Sequence, residues 1–495
     1  MSDRLRFGTA GLRAALGEGP NRMNNEVVWL AAHAIATWLP PGSTVIIGRD
    51  ARYGSEDFAA VTARVLYEAG HQPRVFPDPV PTPIVAWMTS QTDAAAGVVV
   101  TASHNPATDN GYKVYDAAGA QILPDDAAII EASMDSLHWP DHIDATIPAG
   151  VEVLSDADVN GYRVLAQPRV VDHPLTIVYT AMHGVGGALC VDLLREAGHT
   201  VHPVPEQQDP NPDFPTAPFP NPEEPGALDL AMALADETDA DLILANDPDA
   251  DRLAVAMRRG GEWQRMTGDE IGTVLGDHLL RTTTGPRSVS TTIVSSSLLA
   301  KLAEAAGASI HTVLTGFKWL AKAAADHPDA PMIFGYEEAL GYGVDFTIPD
   351  KDGLMAAVLL AEVASDLATD GQTLDDALDT VYAIHGVHVS GQVSHRFEGD
   401  DAMTAMTAFM DRLRANELDD VGGAAVLSVE DLRSGIRLPA SDVLIYQLNR
   451  GRLIVRPSGT EPKVKAYVEA VAGTREDAQF LLGEMLESAK GILAG

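Results

Sequence analysis

The chain has 495 residues, of which 46% are apolar, with 43 glycines and 31 prolines spread along it and a formal net charge of −36. It is too long for a single hydrophobic core and too apolar for disorder, so three or four folded domains are expected. A field this negative excludes general binding to nucleic acid or an anionic membrane, and any anionic ligand must be gripped by local clusters of positive charge.

Residues 1–145 alternate helical and β patterns. Val27 to Trp38 and Glu56 to Ala69 read as helices, Ser43 to Gly48 and Gly97 to Thr101 as strands, and a polar stretch from Trp139 to Pro148 marks a boundary. The rhythm returns over 146–256: a strand at Leu175 to Tyr179, a glycine-rich turn at His183 to Gly187, a helix over Ala188 to Ala197 and a strand at Asp241 to Ala245. Within it Glu206 to Pro225, dense in proline, reads as an ordered excursion or flap. In 257–375, Thr267 to Glu270 starts a helix, and Ser288 to Val294, Ser309 to Leu314 and Met332 to Tyr336 are strands. The last segment, 376–495, has strands at His388 to Val393, Leu444 to Leu448, Leu453 to Arg456 and Val464 to Ala470, a helix over Asp401 to Asn416 and another from Arg475, an α+β plan. The single cysteine, Cys190, cannot form an intrachain disulfide and reads as a small buried hydrophobe. No run approaches the ~20 apolar residues of a membrane span, and the start lacks an apolar signal core, so a cytoplasmic protein is expected.

Four motifs carry chemistry. Ser103 and His104 follow an apolar strand and precede Asn105-Pro106. Alone, such a serine reads as a helix cap or turn residue; with His104 beside it and Lys113 ten residues on, it reads as a nucleophile whose modified form has a nearby cation. Asp247, Asp249 and Asp251 alternate after the strand Leu-Ile-Leu-Ala-Asn, and Arg252 follows. Three carboxylates on a tight loop suit a hard cation. An EF-hand is excluded, because its sixth and twelfth positions hold Arg252 and Arg258, and a haloacid-dehalogenase-type phosphatase loop would want Thr or Val at 251. Glu337 and Glu338 follow the strand ending at Tyr336, either to hold sugar hydroxyls or transfer protons, or as the acidic first turn of a helix. Arg456, Ser458, Gly459, Thr460 and Lys463 combine a guanidinium, two hydroxyls, a glycine and an ammonium, a phosphate cradle in composition without Walker spacing. The eight lysines against 26 arginines point the same way, since Lys113, Lys318, Lys351, Lys463 and Lys465 all stand beside Gly-, Asp- or Ser-rich turns. Phe7 to Arg13 and Gly48 to Arg52 are weaker motifs, either of which could be an interdomain or phosphate contact, with surface ion pairs the favoured reading for Arg49 and Arg52. A hydroxyl nucleophile and a cation cage at the ends of parallel strands together suggest phosphoryl transfer through a phosphoserine.

These motifs, in this order, resemble the α-D-phosphohexomutase superfamily, the phosphoglucomutases and phosphomannomutases, over essentially the whole chain. Phe7 to Arg13, Thr180 to Gly186, Thr315 to Lys318 and Asp350 to Gly353 look like the subgroup that also holds phosphopentomutases. The resemblance implies three similar mixed α/β domains (1–145, 146–256 and 257–375) and a smaller C-terminal α+β domain (376–495) around a central cleft. It implies Ser103 as the phosphoserine; Mg2+ held by Asp247, Asp249, Asp251 and Ser103; and Arg13, His104 and Lys113 as catalytic groups. Substrate binding falls to Arg252, Lys318, Glu337, Ala339, Arg456, Ser458, Gly459, Thr460 and Lys463. Gly341 and Ala339 depart from the common Glu-x-Ser-Gly-His pattern, leaving the acid/base group and the sugar preference open. The implied reaction interconverts hexose 1-phosphate and hexose 6-phosphate of glucose or mannose, with glucose 1,6-bisphosphate as activator. Phosphopentomutase is the alternative, ahead of a metal-dependent sugar phosphatase. A monomer or homodimer acting on a small phosphosugar is expected.

Overall fold

The computed structural model describes residues 4–8, 11–399, 401–416, 418–458 and 461–494. It divides into two compact units, Met1–Ser288 with Gly316–Thr373, and Val289–Thr315 with Leu374–Gly495. In the first, six strands form one sheet: β1 (Leu12–Ala15), β2 (Thr44–Arg49), β3 (Gln72–Val75), β4 (Ala94–Val100), β5 (Asp109–Asp116) and β6 (Glu152–Val153), in the order β1-β5-β4-β2-β3-β6. β2, β3, β4 and β6 run parallel, which is why β2 and β4 are almost continuously apolar and buried; β1 and β5 close one edge antiparallel. The helix Asn25–Trp38 packs its alanine- and valine-rich face into this core, and Asn24 caps it by accepting from the Val27 amide.

A second sheet repeats the plan with β7 (Thr176–Thr180), β8 (Thr200–Pro203), β9 (Leu242–Asn246), β10 (Leu253–Arg259) and β11 (Glu262–Arg265), ordered β11-β10-β9-β7-β8. Here too the parallel strands β8, β7 and β9 are followed by an antiparallel return. The turns after β4 and after β9 are therefore equivalent: each leaves the carboxyl end of a buried parallel strand and turns back along its neighbour. The excursion at 206–225 is irregular apart from a single turn at Pro205–Gln207, and it buries Phe214, Ala217 and Asn221. Thr267 and Glu270 form a capping box on the helix Gly268–Thr282, and Met332–Glu337 pairs with Gly341–Gly343 as a hairpin.

The second unit is built on an antiparallel sheet of Val387–Arg396, Lys463–Ala472, Gly451–Pro457, Leu444–Leu448, Ala424–Asp431 and Asp420–Val421, in that spatial order. The helices Ala402–Ala415 and Arg475–Ala494 supply Phe409, Met410, Leu481 and Met485 to its core. Glu469, 2% exposed, ties the 289–315 segment to this sheet: it accepts from Ser296 Oγ and the Ser297 amide, each at 2.7 Å, and from Arg452 Nε at 2.6 Å. Among the described residues no helix is long and apolar enough to cross a membrane. Cys190 is buried, and burial pushes its thiol up to about 12.

Candidate active site

β4 delivers Ser103 into a turn that returns as β5, so neither a helix nor its cap is involved. Ser103 has φ +51°, a left-handed backbone that a non-glycine residue adopts only when its surroundings impose it. Its amide donates to Thr101 Oγ1 at 2.8 Å, and its Oγ lies 3.1 Å from His104 Nδ1 and donates to Asp247 Oδ2 at 2.6 Å. Two loops 144 residues apart in the chain thus meet at a hydroxyl. Arg13, on β1 opposite Gly111, reaches the same turn through Asn105 Oδ1 at 3.0 Å.

The aspartates that follow β9 are buried. Ala250 between them is left-handed at φ +58°, which turns alternate carboxylates inward. Lys113, buried in mid-strand on β5, donates to Asp249 Oδ2 and to Asp251 Oδ2, each at 2.7 Å. Thr82 Oγ1 donates to Asp249 Oδ2 at 2.6 Å, and Lys351 Nζ stands 3.4 Å from Asp251 Oδ2. Burial, reinforced by Asp249 and Asp251, raises Asp247 well above the ordinary carboxylate range. Burial and Asp251 push Asp249 the same way, but Lys113 and Thr82 outweigh them; against burial, Lys113, Lys351 and Arg252 likewise hold Asp251 low. Lys113 is itself raised, since its two carboxylates overcome the cost of burying the ammonium. The second oxygens of Asp249 and Asp251 are buried with no hydrogen-bond partner, and ligand atoms from all three carboxylates lie within 4.8 Å of one another. Orphaned anionic oxygens converging at that spacing fit a hard divalent cation such as Mg2+.

Glycines let the supporting backbones come this close. A Cβ on Gly184 would sit 2.3 Å from Pro248 Cα, and one on Gly353 would sit 2.2 Å from the Arg252 carbonyl oxygen. Arg252 donates its amide to Asp247 Oδ1 at 3.0 Å, and the Leu253 amide donates to the Leu340 carbonyl at 3.1 Å, which docks the 337–342 hairpin on the aspartate loop. Glu337 accepts from the Gly316 amide at 2.8 Å, and its charge acts on Arg252, Lys318 and Lys351. It ends a strand and does not begin a helix. Ala339 is half-buried in the hairpin turn and Leu340 is left-handed at φ +64°. Lys318, in the first turn of the helix Phe317–Asp326, lines a cavity of about 650 Å³.

In the second unit Arg456, Ser458 and Lys463 come together where Gly451–Pro457 turns into Lys463–Ala472; the Ser458 amide donates to the Lys463 carbonyl at 2.7 Å. Gly459 and Thr460 lie outside the described residues.

Four family models match the chain: phosphoglucomutase/phosphomannomutase alpha/beta/alpha domains I, II and III at residues 4–140, 162–261 and 267–384, and the C-terminal domain at 410–483. The chain belongs to the phosphoglucomutase/phosphomannomutase family. It has that family's four-domain α/β architecture and its activity class, phosphomutase, an intramolecular phosphotransferase. A probable phosphomannomutase of Haemophilus influenzae is 38% identical over 95% of this chain and 98% of its own. A human phosphopentomutase is 36% identical over 99% of this chain and 89% of its own. The crystal structure of a family protein from Burkholderia thailandensis, 20% identical, superposes over 100% of this chain and 99% of that one with a TM-score of 0.78.

Within this family framework, three contributors to the site were not named as site residues from sequence. Thr82 opens the helix Thr82–Gln91, which was not placed from sequence. Lys351 carried a signal, a lysine flanked by Asp350 and Asp352. Arg52, expected in a surface ion pair, is 4% exposed and buried against the Ser103 turn. Buried arginines are rare enough that a charged residue in a sequence defaults to the surface, and here that default fails.

Proposed function

We propose that this phosphomutase interconverts hexose 1-phosphate and hexose 6-phosphate, of glucose or mannose, through a phosphoserine at Ser103 and a bound hexose 1,6-bisphosphate. The observation that carries the reading is the 2.6 Å hydrogen bond from Ser103 Oγ to Asp247, inside a buried trio of aspartates with orphaned oxygens. A phosphoryl group on Ser103 brings about −1.5 to −2 charges against those carboxylates, and two unit charges 4 Å apart oppose each other by roughly 4 kcal/mol at an effective dielectric near 20. A Mg2+ held by Asp247, Asp249 and Asp251 would neutralise phosphoryl oxygens and the leaving Ser103 oxygen.

The chain's own residues do the rest. Phosphorylated Ser103 gives its phosphoryl group to the free hydroxyl of the bound sugar monophosphate. Ser103 Oγ then recovers the other phosphoryl group after the bisphosphate turns over. His104 Nδ1, 3.1 Å from Oγ, is placed to exchange its proton; burial, with Arg252 and Arg13 nearby, lowers the imidazole well below its usual value, so it stands neutral as an acceptor. Lys113, locked between two carboxylates with its proton retained, serves as counter-charge and not as a base. Arg252, Lys318 and Glu337 bind sugar and phosphate, with Ala339 at the hairpin that shapes the sugar site. Arg456, Ser458, Gly459, Thr460 and Lys463 hold the phosphate that is not reacting.

A pentose phosphate is the second reading, supported by the 36% identity to the human phosphopentomutase. The test is 31P NMR of the purified protein with Mg2+ and a trace of glucose 1,6-bisphosphate, offered glucose, mannose and ribose 1-phosphates in turn. Fastest isomerisation of a hexose phosphate supports the proposal. Fastest conversion of ribose 1-phosphate transfers it to the pentose reading, and release of inorganic phosphate without isomerisation refutes both.

A further inference from the structure

The turn from Thr101 to Thr108 makes few hydrogen bonds of its own, and four carbonyls in and just after it converge on one side chain. Arg52 Nη2 donates to the carbonyls of Ser103 and Asn105, each at 2.6 Å, and Nη1 to those of Pro106 at 2.7 Å and Asp109 at 3.2 Å. We propose that Arg52 is a positioning residue for phosphoryl transfer, whose guanidinium fixes the left-handed backbone at Ser103 and so aims Oγ at the aspartate trio. The inference rests on the reading of Ser103 as the phosphoryl carrier.

Three features separate this guanidinium from an ordinary buried ion pair. First, its carboxylate partner is oriented in its own right: Asp50 stands 3.2 Å from Arg52 Nε through Oδ2, while its Oδ1 accepts from the Arg52 amide at 3.0 Å and from Ser55 Oγ at 2.6 Å. The Asp50 amide in turn donates to the Val100 carbonyl at 3.0 Å, so the strand that delivers Ser103 also fixes the base of the clamp. Second, the fork geometry is used on both arms, which a lysine's point charge cannot reproduce. Third, the open face of the guanidinium is covered by the excursion. The Phe214 ring lies 4.8 Å from the guanidinium carbon, Phe214 is 2% exposed and left-handed at φ +45°, and Tyr53 OH donates to Asp213 Oδ1 at 2.8 Å beside it. The His183 ring packs against Phe214 in a T-shaped pair and is itself held 2.8 Å from Thr216 Oγ1. The proline-rich segment at 206–225, through Asp213, Phe214 and Thr216, is therefore a cover of the clamp that holds the nucleophile turn, a role nothing in its irregular backbone announces.

The test uses the full chain with Mg2+ and the variants Arg52→Lys, Arg52→Met and Phe214→Leu, with Ser103→Ala as control. Two quantities are read: steady-state kcat and KM normalised to the fraction of protein that glucose 1,6-bisphosphate can phosphorylate, and the rate at which that phosphoryl group arrives, followed by intact mass. A misplacement of about 1 Å at a reacting group costs on the order of 100-fold. The expected result is a loss of that order in normalised kcat for Arg52→Met, roughly 10-fold for Arg52→Lys and Phe214→Leu, matching losses in the phosphorylation rate, and KM within about twofold of wild type. A merely structural role would lower the melting temperature and the phosphorylatable fraction but leave normalised kcat at the wild-type value, and that outcome overturns the proposal. Should Arg52→Met fail to fold, Arg52→Lys and Phe214→Leu decide the matter alone. Full turnover by Ser103→Ala would remove the reading beneath the inference, whereas an inactive Ser103→Ala with unimpaired Arg52 variants would overturn the positioning role only.

Discussion

Lys113→Met separates the account's electrostatics from simple packing. Lys113 is 2% exposed and bonds Asp249 and Asp251 at 2.7 Å each. Methionine nearly matches its volume and leaves the apolar stem packed, so the change removes charge and two strong hydrogen bonds with little cavity. Breaking a buried ion pair costs about 3–5 kcal/mol because a poorly compensated charge stays behind; here Thr82 still donates to Asp249, while Lys351 and Arg252 face Asp251 from 3.4 and 4.0 Å. The same substitution removes a positive charge beside the carboxylates proposed to take Mg2+. A unit charge ~5 Å from a divalent ion at an effective dielectric of ~20 opposes it by several kcal/mol, so even a fraction of that tightens Mg2+ binding at least 10-fold. Because a ligand stabilises the state it binds, the destabilisation measured in chelator should shrink markedly at saturating Mg2+. Urea unfolding followed by circular dichroism under both conditions, with Mg2+ affinity from calorimetry, measures both effects. Equal destabilisation with and without Mg2+, or weaker Mg2+ binding by the variant, would refute the reasoning.

Three further outcomes follow. Chelation should abolish isomerisation and added Mg2+ should restore it, measured by coupled spectrophotometric assay; turnover that survives chelation contradicts the cation. Gly184→Ala drives a Cβ to within 2.3 Å of Pro248 Cα and must displace the aspartate loop, so turnover and Mg2+ affinity should each fall by at least 10-fold, a displacement large enough to misplace reacting groups; wild-type values would show that the loop yields freely. Glu469→Gln should destabilise the second unit by about 3–5 kcal/mol at neutral pH. Burial alone would raise Glu469, but Arg452 and His388 hold it well below the ordinary range. A depressed carboxyl contributes stability above its unfolded pKa of about 4.3 and loses it as pH falls further. The gap between wild type and variant, read from urea midpoints, should therefore narrow below about pH 4.3, and a gap independent of pH would contradict the depressed carboxyl.

The sequence was most legible where burial is uniform. Val98-Val99-Val100 and Leu242 to Ala245 are parallel strands covered on both faces, and their apolar runs locate directly the two turns that carry Ser103 and the aspartate trio. The aspartate trio was legible because like charges at alternate positions need a partner. β5 was not: Asp109, Asn110 and Lys113 look like loop residues, yet Asn110 and Lys113 are buried, each satisfied by a partner distant in sequence. The helix Thr82–Gln91 was not placed from sequence; prolines flank its first residue, although proline is at home in a first helical turn. The burial of Arg52 escaped for the same reason as that of Lys113, since what makes burial tolerable for either is a set of contacts that only the folded chain assembles. The packing of 289–315 with the C-terminal residues depends on Glu469 and Arg452 meeting Ser295, Ser296 and Ser297, and no local pattern encodes that.

The most direct test of the account is to find where the phosphoryl group goes. Incubating the protein with Mg2+ and glucose 1,6-bisphosphate, then measuring intact mass and mapping peptides, should reveal one added phosphoryl group, located on Ser103 and discharged by hexose monophosphate. A chain that turns over substrate while Ser103 stays unmodified, or that carries the group on another residue, would contradict it.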